Sequence, residues 1–160
     1  MATTRILILE DTETIRRLYR VLFEKSGFTV LALADASRVL AEVKEFKPDL
    51  VLADLLMPKI DGYEVIRILR ADPETKKLPI MVISNLGDMV SQQRVAYLGG
   101  NDFIVKSNFD PHALVSRVRD FLAGKIPKLE VDPKIAGFLE AEERANQEHN
   151  KLSPEEKQYA

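Results

Sequence analysis

Five short apolar runs divide the chain, and the stretches between them have the spacing of amphipathic helices. The runs lie at residues 5–10, 28–33, 49–54, 79–84 and 102–106. In the intervening stretches apolar residues recur every three or four positions, which is typical of helices with one buried face. Strands that alternate with helices pair in parallel through right-handed crossovers. The pattern therefore predicts an α/β fold, a three-layer sandwich around a parallel five-stranded sheet.

Turn and capping residues indicate where the predicted helices begin and end. The first stops at Gly27, the second before Pro48 and the third near Asp72-Pro73. The fifth begins at Asp110-Pro111, where Asp caps the helix and Pro occupies its first turn, and it ends by Gly124. The fourth has the weakest apolar stripe. These boundaries favour a doubly wound sheet of the flavodoxin-like order 2-1-3-4-5.

Length and composition suit one compact domain with a tail. Of the 160 residues, 46% are apolar and 30% are charged. The formal charge of −2 provides no basic surface that would attract nucleic acid, and no helix-turn-helix pattern follows the main domain. We therefore expect no direct DNA binding.

The absence of cysteine excludes disulfides and thiolate metal sites. The first apolar run is too short for a signal peptide or a membrane span, so the expected location is the cytoplasm.

The composition changes after residue 124. Prolines at 127 and 133 mark a linker, and residues 133–149 are helix-prone with only three apolar positions, Ile135, Phe138 and Leu139. An apolar stripe of three residues cannot stabilise a short helix alone. This helix is therefore expected either to dock on another surface or to fray. We therefore predict a domain at 1–124 and a segment at 125–160 that comprises a linker, a short helix and, after about residue 150, a disordered tail.

Polar residues close four of the apolar runs. Glu10 and Asp11 follow the first run, Asp54 closes the third, Ser84 the fourth and Lys106 the fifth. In a parallel sheet all of these residues lie at the carboxyl edge, where α/β folds place their sites. Three carboxylates there repel one another unless a cation lies between them, and Mg²⁺ prefers such oxygen ligands. The sequence predicts a Mg²⁺ site formed by Glu10, Asp11, Asp54 and the backbone carbonyl of Leu56.

A lysine and a hydroxyl beside such a metal indicate a phosphoryl group. Mg²⁺ holds this group in line with an oxygen of Asp54, the predicted phosphoacceptor, and Lys106 clamps it electrostatically. Ser84 then donates a hydrogen bond to the phosphoryl group and draws the following loop inward, so Ser84 is both a catalytic and a switch residue. Taken singly, Asp11 is equally well explained as a helix cap, Ser84 is better explained as a cap and Lys106 as a surface lysine. Their joint placement favours the site.

Residues 4 to about 124 resemble the receiver domain of two-component response regulators. The acidic pair of that family matches Glu10-Asp11, its phosphoacceptor strand and turn match residues 54–62, and its hydroxyl and lysine positions match Ser84 and Lys106. The resemblance implies phosphorylation of Asp54 by a histidine kinase or phosphotransfer protein, and a conformational switch read by an unknown output protein. It further implies a stand-alone, chemotaxis-type regulator, with a homodimer as one possible role of the tail.

Two positions near the lysine affect the expected switch. Phe103 occupies the aromatic position that rotates inward in the family, and because it has no hydroxyl we expect it to lie inward in both states. Simple strand packing explains Phe103 equally well. Ser107 replaces the proline that usually follows the lysine after a cis peptide bond, so the Lys106-Ser107 bond is expected to be either trans with a reshaped loop or strained.

Three further departures affect phosphoryl chemistry. Asn85 replaces a residue that is usually small, which narrows the path of a phosphodonor and disfavours easy phosphorylation by small molecules. Leu56 and Leu86 occupy the positions that tune hydrolysis in the family. Because apolar side chains cannot orient an attacking water, we expect a long-lived phosphoaspartate.

Other functions are open for a chain of this fold. A haloacid dehalogenase phosphatase also uses an aspartyl phosphate, but it needs a second aspartate where this chain has Leu56. A flavodoxin needs a phosphate-binding loop where Glu10-Asp11 would repel phosphate. A receiver-shaped interaction scaffold regulated independently of phosphorylation stays as the alternative. We expect no enzyme, but a phosphoacceptor that assists its own phosphorylation and slow dephosphorylation.

Overall fold

The five apolar runs form one parallel sheet, as predicted. The computed structural model describes residues 3–159. Its strands are β1 (Arg5–Leu9), β2 (Thr29–Leu33), β3 (Leu50–Asp54), β4 (Ile80–Ser84) and β5 (Asp102–Val105). They lie in the order β2-β1-β3-β4-β5, and all four pairings are parallel. The predicted order is confirmed.

Helices connect successive strands and continue beyond the sheet. They are α1 (Glu13–Lys25), α2 (Val39–Phe46), α3 (Gly62–Ala71), α4 (Met89–Leu98), α5 (Pro111–Leu122), α6 (Ala136–Lys151) and α7 (Pro154–Tyr159). One 3-10 turn, Lys106–Asn108, follows β5. Within residues 3–159, no helix combines the length and the apolar character that a bilayer crossing requires.

Alternation along the strands produces two apolar layers, one on each face of the sheet. Leu7 and Leu9 of β1 pack with α2, α3 and α4, whereas Ile6 and Ile8 pack with α1 and α5. Strand β3 divides its side chains in the same way. This three-layer arrangement leaves the carboxyl ends of the strands uncovered by the helices, so polar side chains can gather there.

The close start of α3 positions the end of β3. Gly62 donates its backbone N–H to the carbonyl of Leu55 at 2.8 Å. The Asp61 side chain caps α3 by accepting from the backbone N–H of Glu64 at 2.9 Å. A Cβ atom at position 62 would lie 2.8 Å from the Cα of Leu55 and 3.0 Å from the carbonyl oxygen of Asp54. Only glycine therefore fits here without moving the backbone that carries Asp54.

The C-terminal segment packs on the sheet domain. Leu139 of α6 is 1% exposed, and α6 contacts α4, so of the two alternatives for this helix the structure shows docking. The predicted disorder after about residue 150 is corrected, because α7 forms there. Ser153 and Glu156 bond to each other's backbone N–H groups, which is a capping box. The domain boundary at 124/125 stays a prediction, and residues 1, 2 and 160 of the predicted segments lie outside the described residues.

Replacing Gly62 with Ala is expected to lower the free energy of unfolding by about 1–3 kcal/mol, because the new methyl group overpacks the end of β3. Thermal unfolding of the Gly62→Ala variant measures this change. The matched control is Gly137→Ala, since a Cβ atom there meets nothing within 4 Å. A melting temperature for Gly62→Ala equal to that of the control would contradict the packing explanation.

Candidate functional site

Parallel register brings the ends of four strands to one edge of the sheet. Leu9 pairs with Ala53, so Glu10 follows β1 at the level of Asp54. Asp54 pairs with Ile83, which places Ser84 one step beyond. Ser84 in turn pairs with Val105, so Lys106 follows at the same edge. The polar residues that the sequence analysis selected are thus assembled in one place.

Three carboxylates form the centre of this pocket. One oxygen from each of Glu10, Asp11 and Asp54 lies within 4.8 Å of the others. Glu10 and Asp54 are buried, whereas Asp11 is exposed. Thr12 occupies the N-cap position of α1, so the alternative reading of Asp11 as that cap is not what the structure shows. The cluster offers hard oxygen ligands of the kind that Mg²⁺ binds.

Backbone donors hold two of the carboxylates in place. The N–H of Thr12 donates to a Glu10 carboxylate oxygen at 3.2 Å. The N–H of Leu56 donates to the Oδ1 atom of Asp54 at 3.3 Å. Each carboxylate is therefore oriented by the turn that follows its own strand, and the second oxygen of each contacts Lys106.

Lys106 joins the two buried carboxylates. Its Nζ atom lies 3.1 Å from Oε2 of Glu10 and 3.2 Å from Oδ2 of Asp54. Burial raises the pKa of Glu10, and the charge of Asp54 raises it further. Burial acts to lower the pKa of Lys106, but the two carboxylates outweigh it and the pKa is raised. Lys106 is therefore held as a cation.

The charges in the pocket do not balance without a further cation. Three carboxylates converge there and one ammonium group, that of Lys106, contacts two of them. Burial is the main cause of the raised pKa of Glu10, and the nearby charge of Asp54 adds to it. The donor set therefore fits a divalent ion held by Glu10, Asp11 and Asp54. A contribution from the backbone carbonyl of Leu56 stays a prediction.

The predicted switch residues lie on the neighbouring strands β4 and β5. Ser84 is fully buried, and its Oγ atom accepts a hydrogen bond from the N–H of Leu86 at 3.0 Å. Phe103 is 8% exposed and packs in the core layer of α2, α3 and α4, so it lies inward in this structure. The switching roles of Ser84 and Phe103 stay predictions. Leu56 and Leu86, by contrast, are 54% and 43% exposed at the pocket rim.

The loop after β5 resolves the question of the Lys106-Ser107 peptide. This bond is trans, and the chain continues as the 3-10 turn Lys106–Asn108. Asp110 then caps α5 by accepting from the N–H of Ala113 at 2.8 Å. Of the two outcomes expected for a chain without proline at 107, the structure shows the trans bond with a loop of its own shape.

Arg16 of α1 also contributes to the site, although the sequence analysis did not select it. Its Nη1 atom donates to the backbone carbonyls of Glu10 at 3.1 Å and Asp11 at 3.3 Å. The guanidinium thereby braces the turn that carries the acidic pair. The available signal in the sequence was the spacing. Arg16 follows the acidic pair by between one and two helical turns, on a helix that begins just after the pair.

Comparison with known proteins identifies the family. Residues 6–119 match the family model described as the response regulator receiver domain. The chain belongs to this family. Receiver domains bind Mg²⁺ at an acidic pocket, and here the corresponding cluster is Glu10, Asp11 and Asp54. A receiver domain is not a conventional enzyme.

Individual relatives agree with this assignment. The DNA-binding response regulator MtrA of Mycolicibacterium smegmatis is 35% identical over 115 residues, which are 72% of this chain and 49% of MtrA. The chemotaxis protein CheY4 of Vibrio cholerae has the same fold, with a TM-score of 0.69 at 24% identity over 74% of this chain and 98% of CheY4. The BeF₃-activated receiver domain of Klebsiella pneumoniae RstA gives 0.66 at 27% identity over 72% and 96% of the two chains.

The relatives also correct one expectation. The chain spans about half the length of the curated relatives it matches, and several of these are DNA-binding response regulators by name. The expectation of no direct DNA binding, drawn from net charge and from the absence of a helix-turn-helix pattern, was therefore wrong. Neither the net charge nor the missing helix-turn-helix pattern distinguishes this chain from relatives that are named as DNA-binding.

Magnesium is expected to stabilise the protein through the acidic cluster. At a Mg²⁺ concentration ten times the dissociation constant, the free energy of unfolding should rise by about 1.4 kcal/mol. The Asp11→Asn variant should lose this rise while keeping the metal-free stability of the wild type, since Asp11 is exposed. Thermal unfolding with and without Mg²⁺ measures both values. Asp120→Asn, an exposed change on α5, is the control, and an undiminished Mg²⁺ effect in Asp11→Asn would contradict the site.

Proposed function

We propose that this receiver domain accepts a phosphoryl group on Asp54 from a histidine kinase or a phosphotransfer protein, and signals through the resulting conformational change to a protein partner. The observation that carries the proposal is the contact of one lysine, Lys106, with both Glu10 and Asp54 inside a cluster of three carboxylates. A structural ion pair needs only one carboxylate. The two additional carboxylates are explained if the cluster holds a cation and if Asp54 accepts the phosphoryl group.

The residues of the pocket divide the chemistry between them. An oxygen of Asp54 attacks the phosphorus of the donor phosphohistidine, the P–O bond forms and the P–N bond breaks. Lys106 stays protonated, because its pKa is raised, and holds the negative charge of the transferred group. When bound by Glu10, Asp11 and Asp54, Mg²⁺ supplies positive charge that offsets the charge of the phosphoryl oxygens.

Ser84 is the residue that would respond to phosphorylation of Asp54. Its hydroxyl is fully buried at the pocket edge and already accepts from the N–H of Leu86. Because a hydroxyl can also donate, Ser84 is able to bond a phosphoryl oxygen on Asp54. That bond would draw the loop after β4 toward the pocket, and α4 begins directly after this loop. Phe103 is already inward, so we expect its contribution to the switch to be small.

The lifetime of the phosphorylated form depends on water. Leu56 and Leu86 stand at the pocket rim with large exposed fractions, and neither side chain can accept a proton or orient a water molecule. We therefore propose slow dephosphorylation. The alternative, a scaffold regulated only by protein contact, shares the fold but leaves the convergent carboxylates and Lys106 without a role. A homodimer and a stand-alone organisation stay predictions.

Phosphorylation is expected on Asp54 alone. Mixing the protein with a phosphorylated histidine kinase domain and Mg²⁺ should add the mass of one phosphoryl group, measured on the intact protein. The adduct should be labile in base, as an acyl phosphate is. Asp54→Asn should abolish it, since the attacking oxygen is lost, and chelation of Mg²⁺ should reduce it by at least about tenfold, because the charge of the phosphoryl oxygens is then unopposed.

The matched control is Asp35→Asn, which changes another aspartate that follows a strand at the same edge. Within residues 3–159 the Asp35 side chain forms hydrogen bonds only with Ser37. This variant should be phosphorylated like the wild type. An adduct that persists in Asp54→Asn would place the phosphoryl group elsewhere. No adduct with several kinase domains or with a small phosphodonor would instead support the phosphorylation-independent scaffold, with Asn85 and Ser107 as the residues to change first.

The phosphoryl group is expected to last longer on the wild type than on a Leu56→Asn, Leu86→Glu double variant. Polar side chains at these positions can orient an attacking water, so the half-life in the variant should fall by about tenfold to a hundredfold. This factor is at or below the low end of the rate gain that a positioned acid or base usually gives. Decay of the intact phosphorylated mass after removal of the donor measures it. Leu122→Asn, an exposed leucine of α5 that is equally apolar, is the control. Equal half-lives in all three proteins would refute the role of the two leucines.

A further inference from the structure

Helix α6 bridges α3 and α4 through two ion pairs. Arg67 of α3 binds Glu143 with two parallel bonds, Nε to Oε1 at 2.6 Å and Nη2 to Oε2 at 2.8 Å. Arg94 of α4 binds the adjacent Glu142 at 2.7 Å. Leu139, one helical turn earlier on the same face of α6, is buried. We call this set of contacts the tail clamp.

The linker before α6 contributes to the same attachment. The side chain of Gln93, on α4, donates to the carbonyl of Glu130 at 3.2 Å and accepts from the N–H of Asp132 at 2.7 Å. The N–H of Leu129 contacts the carbonyl of Asn101, just before β5, at 3.4 Å. The segment from residue 129 to 143 therefore engages α4 at two successive positions, through its linker and through its helix.

Helix α4 buries little apolar surface, although it also packs on α3 and β5. Among its ten residues only Ser91 and Val95 are buried, and Met89 and Val90 in its first turn are 66% and 46% exposed. A helix with so little buried apolar surface is easily displaced from the core. The contacts of Gln93 and Arg94 with the tail therefore add to the packing of α4 on α3 and β5 in holding this helix in place.

The same helix is tied directly to the pocket. Only residues 85–88 separate Ser84 from the start of α4. Asp88, the last of these, caps α4 by accepting from both the N–H and the hydroxyl of Ser91, at 2.7 and 2.8 Å. A displacement of this loop toward Asp54 would pull on the first turn of α4. Arg94, on the second turn, would then shift relative to Arg67 on α3.

From this arrangement we propose that the tail clamp holds α4 in the position of the unphosphorylated protein, and that phosphorylation of Asp54 weakens the clamp and exposes the face of α4 that α6 covers. The inference rests on the proposed function, since it names the regulation of that same site. Because Glu142 and Glu143 are adjacent and each pairs with a different helix, a shift of α4 relative to α3 displaces the two partners of α6 in different directions and weakens at least one of the ion pairs. By reciprocity, loss of the clamp favours the modified state by the same factor.

Beryllofluoride, a stable mimic of the phosphoryl group, tests this coupling on the full chain. In the wild type, Mg²⁺ with beryllofluoride should speed hydrogen exchange of the α6 amides by about fivefold, a low value for coupling between two sites. The double variant Glu142→Gln, Glu143→Gln should exchange faster before any addition, and should bind beryllofluoride about fivefold more tightly by calorimetry. Glu140→Gln is the control, because in the described part of the chain Glu140 forms an ion pair only with Arg144 of the same helix, and both side chains are exposed.

The possible results separate the clamp from the proposed function. Beryllofluoride binding that requires Asp54 but leaves the exchange of α6 unchanged would overturn the clamp alone. Equal affinities in the double variant and in Glu140→Gln would overturn it as well. If Asp54-dependent binding is absent from the wild type, the proposed function fails and the coupling fails with it, whatever the exchange of α6.

Discussion

The contact of the Lys106 ammonium group with two buried carboxylates is the interaction on which the site depends. It neutralises part of a charge cluster that would otherwise oppose folding, and it leaves enough negative charge to attract a divalent cation. The parallel register of β1, β3, β4 and β5 makes this contact possible, because it brings residues from distant parts of the chain to one edge. Gly62 and Arg16 then fix the two turns that carry the carboxylates.

The same edge connects the pocket to the rest of the molecule. Ser84 lies at the pocket, Asp88 caps α4, and Gln93 and Arg94 attach α4 to the linker and α6. Helix α4 contributes little to the apolar core, and polar contacts hold it at its start and near its middle. Under the proposed function, chemistry at Asp54 and docking of the tail would act on this same helix, as coupling between two sites requires.

Local sequence patterns predict the sheet and the pocket well. Apolar runs closed by Glu10, Asp54, Ser84 and Lys106 are visible in the sequence, and the rule that helices connect parallel strands brings them together. The docking of α6 is harder to predict, because Leu139 is its one fully buried side chain and its partners lie far away in the chain. The available signal was Glu142 and Glu143, three and four residues after Leu139 and so on its face.

Other features had a weaker signal or none. The capping box of Ser153 and Glu156 has a recognisable spacing and indicates the start of α7, which the polar composition of the tail concealed. The choice between a trans and a strained peptide after Lys106 has no local signal, since it depends on how the whole loop packs. The DNA-binding names of the relatives show that net charge is a poor criterion for a domain that spans half of its relatives' length.

A crystal structure of the protein with Mg²⁺ and beryllofluoride would show where the phosphoryl mimic and the metal bind. We expect beryllium bonded to an Asp54 carboxylate oxygen, Lys106 and Ser84 in contact with the fluorine atoms, and Mg²⁺ held by Glu10, Asp11 and Asp54. Beryllofluoride bound elsewhere, or a pocket in which Lys106 keeps both carboxylates and no metal enters at saturating Mg²⁺, would contradict this expectation.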